Sequence, residues 1–402
     1  MKICGVIAEY NPLHLGHVHH LHLARQISGA DALIVVMSGP FVQRGEPALA
    51  DPLLRAQWAV GAGADLVLEL PAAYACHGAQ LFARGAVGLL DGLGCVESFC
   101  FGCETPALDL LLPAARLLMD EPEPLKARLR YELARGEAYP RARQLALAHI
   151  LGESAIPLMT QANNVLALEY LQACLYLDSH LRPLPVARTG DGYRQQQIEG
   201  PLPSATGIRA ALYAGQVPSG LPERVARDLA AARLLFPEAL SSLVRWRLMT
   251  ASDDALSDLP DMAEGLHLRL KRAARENSGY EQIAQAALTK RYSMPRIKRA
   301  MLHSLLEINQ ADTDRLRRDL PLFVRPLAMG ECGGRILSLI SRTSALPLIA
   351  HPARYRPQPD TSIGRLWAVN QRAWSLYALL SGRVDGWAYQ ARLTPQPSWP
   401  AP

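Results

Sequence analysis

Four short apolar runs, each followed by a polar break and then helical periodicity, fill the first hundred residues and constrain the fold more than any other feature. The runs at 3–8, 32–37, 65–68 and 98–101 are the length of buried strands, and the stretches 16–27, 52–61 and 79–90 carry the 3.6-residue spacing of helices. Strands that alternate with helices in this way build a parallel sheet covered on both faces, so an α/β, Rossmann-like domain is expected. Each run ends in a segment that breaks the pattern: Glu9-Tyr10-Asn11-Pro12, Ser38-Gly39-Pro40, Glu69-Leu70-Pro71 and Gly102-Cys103-Glu104. Loops at the carboxyl ends of such strands are where open α/β sheets hold ligands.

A chain of 402 residues exceeds one ordinary domain, so a second is expected. From about residue 106 the pattern is mainly helical, with a turn-rich passage at 189–204 that holds a last strand or an active-site loop. The expected division is a first domain over 1–216, a mainly α-helical, basic domain over 217–390, and a proline-rich, loose tail over 391–402. The net charge of +5 is unevenly placed. Residues 267–325 hold thirteen Lys and Arg against six Asp and Glu, which leaves the rest of the chain slightly acidic. Seven cysteines in so long a chain argue against a disulfide framework and for a reducing compartment. The opening runs directly into a strand, and no segment reaches the roughly 18 apolar residues that span a bilayer. A soluble, cytoplasmic protein with no membrane partner is expected.

The chemistry concentrates in His14-Leu15-Gly16-His17, between the first strand and the first helix. Two imidazoles at this spacing reach one phosphate, Gly16 admits close backbone approach, and the helix start favours anions. Donors aimed at charge developing on an α-phosphate are what adenylyl transfer needs. The plain alternative is a pair of polar residues on a helix that is His-rich in any case, with His19, His20 and His22 following. A zinc site is disfavoured, because no carboxylate or cysteine stands at helical ligand spacing beside them, and no protein metal site is expected.

The HxGH segment resembles the signature of the nucleotidyltransferase superfamily, and further segments are similar to one family in it. Val36-Met37-Ser38-Gly39-Pro40-Phe41-Val42-Gln43-Arg44-Gly45-Glu46-Pro47-Ala48, Glu69-Leu70-Pro71, Phe82-Ala83-Arg84-Gly85 and Phe101-Gly102-Cys103-Glu104 follow in the order of the bacterial tRNA(Met) cytidine acetate ligases. Asn163-Asn164, Arg188, Ser204-Ala205-Thr206-Gly207-Ile208-Arg209, Glu264-Gly265-Leu266 and Lys290-Arg291-Tyr292 extend the likeness to about residue 300. The resemblance implies a HUP-type nucleotidyltransferase domain and an ATP-dependent ligase. Acetate would become acetyl-adenylate, and the acetyl group would pass to the wobble cytidine of elongator tRNA(Met). ATP is then a substrate, with Mg²⁺ expected alongside it.

On that resemblance His14 and His17 are the catalytic residues. The segment Ile7-Ala8-Glu9-Tyr10-Asn11-Pro12-Leu13-His14-Leu15-Gly16-His17-Val18-His19-His20 lines ATP, as do Gly102, Asn163 or Asn164, Arg188 and Thr189. Thr206 and Arg209 correspond to the element that meets the outer phosphates. Local chemistry alone reads the asparagines as helix caps and Arg188 as a surface ion pair. Gln43-Arg44-Gly45-Glu46 reads as an active-site loop in which Arg44 binds an anion, with an Arg44–Glu46 pair as the competitor. Lys290, Arg291, Arg296, Lys298 and Arg299 are the expected tRNA surface, with Tyr292 stacking on a base; a solvated helix face is the alternative.

The chain departs from the family where Leu13 and Leu15 replace phenylalanine and asparagine, at Cys103 in place of serine, and at His267-Leu268. Cys95, Cys100 and Cys103 read as small core or loop residues. Two other functions remain: adenylyl transfer to a phosphorylated small molecule, and a silent tRNA-binding protein.

Overall fold

The computed structural model describes residues 1–188, 204–384, 386–390 and 393–399. Its main sheet has six strands, and a two-stranded hairpin stands beside it. In chain order the strands are β1 (Ile3–Ala8), β2 (Ala32–Ser38), β3 (Phe41–Val42), β4 (Glu46–Pro47), β5 (Leu66–Leu70), β6 (Ser98–Cys103), β7 (Arg182–Ala187) and β8 (Pro326–Met329). The sheet runs β7-β6-β1-β2-β5-β8, and β3 pairs with β4. Five strands are parallel, as expected, whereas β8 lies antiparallel to β5.

The apolar runs form central strands because both of their faces are covered. Alternate residues divide between two cores: Ile3, Ile7, Ile34, Val36 and Leu68 face the helices Ala79–Gly92 and Ala162–Tyr176, while Cys4, Val6, Leu33, Val35 and Val67 face Leu15–Ser28 and Pro52–Gly61. Burying one such Val or Ile side chain contributes about 1.5–3 kcal/mol. From β1 the chain moves outward to β2 and β5 on one side and later to β6 and β7 on the other. The reversal opens a crevice at the carboxyl ends of β1 and β6.

Two expectations change at the far end of the chain. The second half, expected to be mainly helical, also contributes the strand β8 to the sheet, and its helix Ser362–Ser381 reaches β5 through Asn370 and Trp374. Glu69 on β5 is fully buried and bonds Arg325 at 2.8 Å, Asn370 at 3.1 Å and the Trp374 indole at 2.6 Å, so one carboxylate ties two segments of the second half, the approach to β8 and helix Ser362–Ser381, to the sheet. The proline-rich tail is not loose over 393–399. The Gln396 N–H donates to Met329 O at 2.9 Å and the Trp399 N–H to Gly61 O at 2.8 Å, extending the sheet edge. The passage expected to hold a last strand falls outside the described residues up to 203, but β7 stands immediately before it. All seven cysteines are free, and no described helix is long and apolar enough to cross a membrane.

Candidate active site

A cleft of about 540 Å³ opens at the crevice, within the size range of small-ligand sites. From β1 and the turn after it, Ile7, Ala8, Glu9, Tyr10 and Asn11 line the cleft, followed by His14, Gly16, His17, His19 and His20 from the helix start. Pro12, Leu13, Leu15 and Val18 do not. Leu13 is fully buried, Val18 packs on the sheet core, and the Leu15 N–H is capped by Gly220 O at 2.9 Å.

The two imidazoles stack, with centroids 3.7 Å apart, and the His14 N–H donates to His17 Nδ1 at 3.3 Å. That bond places the proton of a neutral His17 on Nε2. His14 is buried, yet neither ring nitrogen has a partner among the described residues. Orphaned buried nitrogens are costly, and an incoming phosphate would satisfy them. Burial, reinforced by the Arg188 charge, pushes His14 down to about 4. His17 is held well below its usual value by burial and then by His14, and His20 falls to about 4 for the same principal reason. Gly16 leaves room for this arrangement, since a Cβ there would stand 3.0 Å from His14 Cε1. Tyr10 adopts φ 46°, a conformation disfavoured for L residues, and its ring meets His17 edge-on with centroids 4.9 Å apart.

On the β6 side, Gly102 faces Arg188; a Cβ would lie 3.0 Å from Arg188 Cγ. Arg188 donates to Asn163 Oδ1 at 2.8 Å, and Asn163 Nδ2 to Glu104 Oε1 at 2.6 Å. The structure separates the two asparagines: Asn163 lines the cleft, whereas Asn164 is fully buried and bonds Thr105, Pro157 and Gln161 within the wall. Thr189 lies outside the described residues. Opposite, Ser204 caps helix Ala205–Tyr213 through the Gly207 N–H at 3.2 Å. Arg209 donates to Asn11 O at 2.8 Å and to Thr206 Oγ1 at 3.2 Å, bracing the HxGH turn against that helix start.

Arg44 also lines the cleft, exposed and without a hydrogen bond or ion pair among the described residues. Its expected competitor, a pair with Glu46, is absent because Glu46 Oε1 takes Lys298 Nζ at 2.7 Å. Glu9, buried among these arginines, accepts the Gln43 N–H at 2.7 Å; burial raises its carboxyl while Arg55, Arg209 and Arg44 oppose the rise.

The basic surface needs correction. Lys298 is buried and paired with Glu46 and Glu281, Arg299 pairs with Asp261 at 3.2 Å, and Arg296 pairs with Glu264 at 3.7 Å. Tyr292 is buried, its hydroxyl donates to Glu264 O, and the Arg296 guanidinium covers its ring. Its face is therefore occupied from within the protein, not offered to a base. Lys290 and Arg291 remain exposed, with no ion pair among the described residues. Acids at 46, 261 and 264, outside the charge run in sequence, neutralise most of its densest part.

With this geometry in hand, residues 1–389 match the HIGH Nucleotidyl Transferase family. The tRNA(Met) cytidine acetate ligase of Acetivibrio thermocellus is 34% identical over 94% of this chain and 95% of its own length. The chain belongs to the tRNA(Met) cytidine acetate ligase family. A second ligase of that name, from Clostridium tetani, is 35% identical over 87% of this chain and 90% of its own. Among solved structures, apo Thermotoga maritima TmcAL superposes with a TM-score of 0.89 at 29% identity, covering 99% of this chain and all of the other. TmcAL bound with alpha-thio ATP gives 0.85 at 30% identity over 96% of both chains. Membership spans the whole fold, including the late strand β8.

Proposed function

We propose that this member of the ligase family activates acetate with ATP and acetylates the wobble cytidine of elongator tRNA(Met). The observation that carries the reading is the stacked, neutral His14–His17 pair at the carboxyl end of β1, in which both buried ring nitrogens of His14 lack partners among the described residues. An acetate oxygen would attack the α-phosphorus and expel pyrophosphate. The cytidine N4 amine would then attack the acetyl carbonyl, lose a proton and expel AMP. In both steps negative charge sits on the α-phosphate oxygens, where neutral N–H donors stabilise it in a water-poor site. Gly102, Asn163 and Arg188, which line the β6 side of the cleft, would meet the nucleoside, and Thr206 with Arg209 would meet the outer phosphates. Mg²⁺ is expected to arrive on the triphosphate.

For tRNA, Lys290 and Arg291 are the cations of the expected set that remain free to meet phosphates.

The test is pyrophosphate release from ATP with and without acetate and bulk bacterial tRNA, followed by nucleoside mass analysis of that tRNA. Acetate-dependent release with N4-acetylcytidine is the expected result. Release indifferent to both would indicate adenylyl transfer to another small molecule, and no release a silent binding protein. Charge reversal at Lys290 and Arg291 should weaken tRNA affinity with a shallower salt dependence; an unchanged affinity removes them from the interface.

A further inference from the structure

The β3–β4 hairpin carries Arg44 at its turn, and the helical half of the molecule grips that turn from behind. Gly45 has φ 78° and lies against helix Met294–Leu306 so closely that a Cβ would stand 2.5 Å from Arg299 N and Lys298 C. The Tyr280 hydroxyl donates to Gly45 O at 2.9 Å. Lys298 Nζ, on the same helix, bonds Glu46 Oε1 at 2.7 Å and Glu281 Oε1 at 2.6 Å. Lys298 is 8% exposed and the Glu46 side chain 14%, so the Lys298–Glu46 pair is largely shielded from water, whereas Glu281 is half exposed. On the cleft side, the Gln43 N–H is fixed by Glu9. Arg44 lies between these anchors and lines the same cleft as Thr206 and Arg209. Arg209 registers that proximity: burial and then the Arg44 charge lower it from its ordinary value.

Arg44 and Arg209 share the cleft with the Glu9 carboxylate, which offsets only part of their combined positive charge, an arrangement tolerated where a polyanion is to sit. We infer that Lys298 is a positioning residue which, through Glu46 and the hairpin, holds Arg44 beside Arg209 as a grip on the outer phosphates of ATP. The helical half is then part of the nucleotide site as well as the expected tRNA platform. This inference rests on the ATP reading above and deepens it.

The experiment is a double-mutant cycle on the full chain, reading ATP affinity by calorimetry with no acetate or tRNA present. Arg44→Ala and Lys298→Met are each expected to weaken ATP binding about tenfold, the size of one charge-assisted contact, and the double variant no more than either alone. Affinity for tRNA should be unchanged in all three, which a general loss of structure in the helical half would not allow. Unaltered ATP affinity in Lys298→Met, or roughly hundredfold weakening in the double variant, would overturn the inference, as would parallel loss of tRNA binding. Because Lys298→Met strands two carboxylates, the variant Glu46→Gln/Lys298→Met, which removes the buried pair together, reads the same coupling if the single change is unstable. A wild-type protein that binds no ATP would overturn both this inference and the proposed function; one that binds ATP regardless of residue 298 sinks only the inference.

Discussion

An imidazole that must meet a phosphate serves best if it stays neutral until the phosphate arrives, and His14 and His17 are built that way. Burial holds both below their ordinary range, His14 at about 4, so neither carries charge in the empty cleft at pH 7. Phosphate oxygens close to the rings favour the charged form and raise both values. ATP binding near pH 6 should therefore take up protons, seen as a binding enthalpy that varies with the ionisation heat of the buffer. His14→Asn should reduce the uptake, and an uptake unchanged by that substitution would place the protons elsewhere. At this scale the sequence was informative where geometry is local, as in the His14 to His17 spacing. It was uninformative where partners come from afar: Tyr292 and Lys298 read as surface residues because Glu264 and Glu46, which engage them, lie outside their window. The choice between Asn163 and Asn164 likewise needed the helix's rotation, which turns one to the cleft and the other into the wall.

Among the elements, legibility follows the covering of faces. β1 and β2 are buried on both sides and read as unbroken apolar runs, and helix Pro52–Gly61 is announced by Asp51, whose side chain caps Leu53 at 2.8 Å. β7 is harder to see because it is an edge strand containing Pro183 and Pro185, and edges tolerate proline where centres do not. β8 is four residues long and pairs with a strand some 260 positions earlier, a relation no local pattern encodes. The carboxylate that fastens it yields a prediction at this level. Glu69→Ala removes the buried partner of Arg325 and an acceptor of Trp374, and should cost about 3–5 kcal/mol, measured by denaturant unfolding. A loss under about 1 kcal/mol would mean that solvent or another acceptor replaces it.

Across the whole molecule, neutral buried histidines make stability depend on pH in a definite sense. His14, His17 and His20 around the cleft, and His77 and His303 where the helical half meets the sheet domain, all lie below 6.5 in the folded chain, chiefly through burial. As pH falls from about 6.5 towards 4, the unfolded chain binds protons that the folded chain refuses, so stability should decline through that window. His77 and His303 lie tilted against each other with ring centroids 4.7 Å apart and bond Thr313 and the Cys76 carbonyl, so the decline should persist when the cleft histidines are replaced and become shallower when His303 is. Melting temperatures recorded between pH 4.5 and 7.5 test this; a flat profile would refute it.

The late arrival of β8 also bears on how the protein is made. Until residue 329 has left the ribosome, β5 offers its LVLEL backbone as an open, apolar edge, the kind of template on which nascent chains join one another. At translation speeds of about 5–20 residues per second, the 256 residues from β5 to β8 take about 13 to 50 s, during which the fold's first half must remain soluble without its closing strand. A gene cut after the nucleotide-binding segment would make that interval permanent.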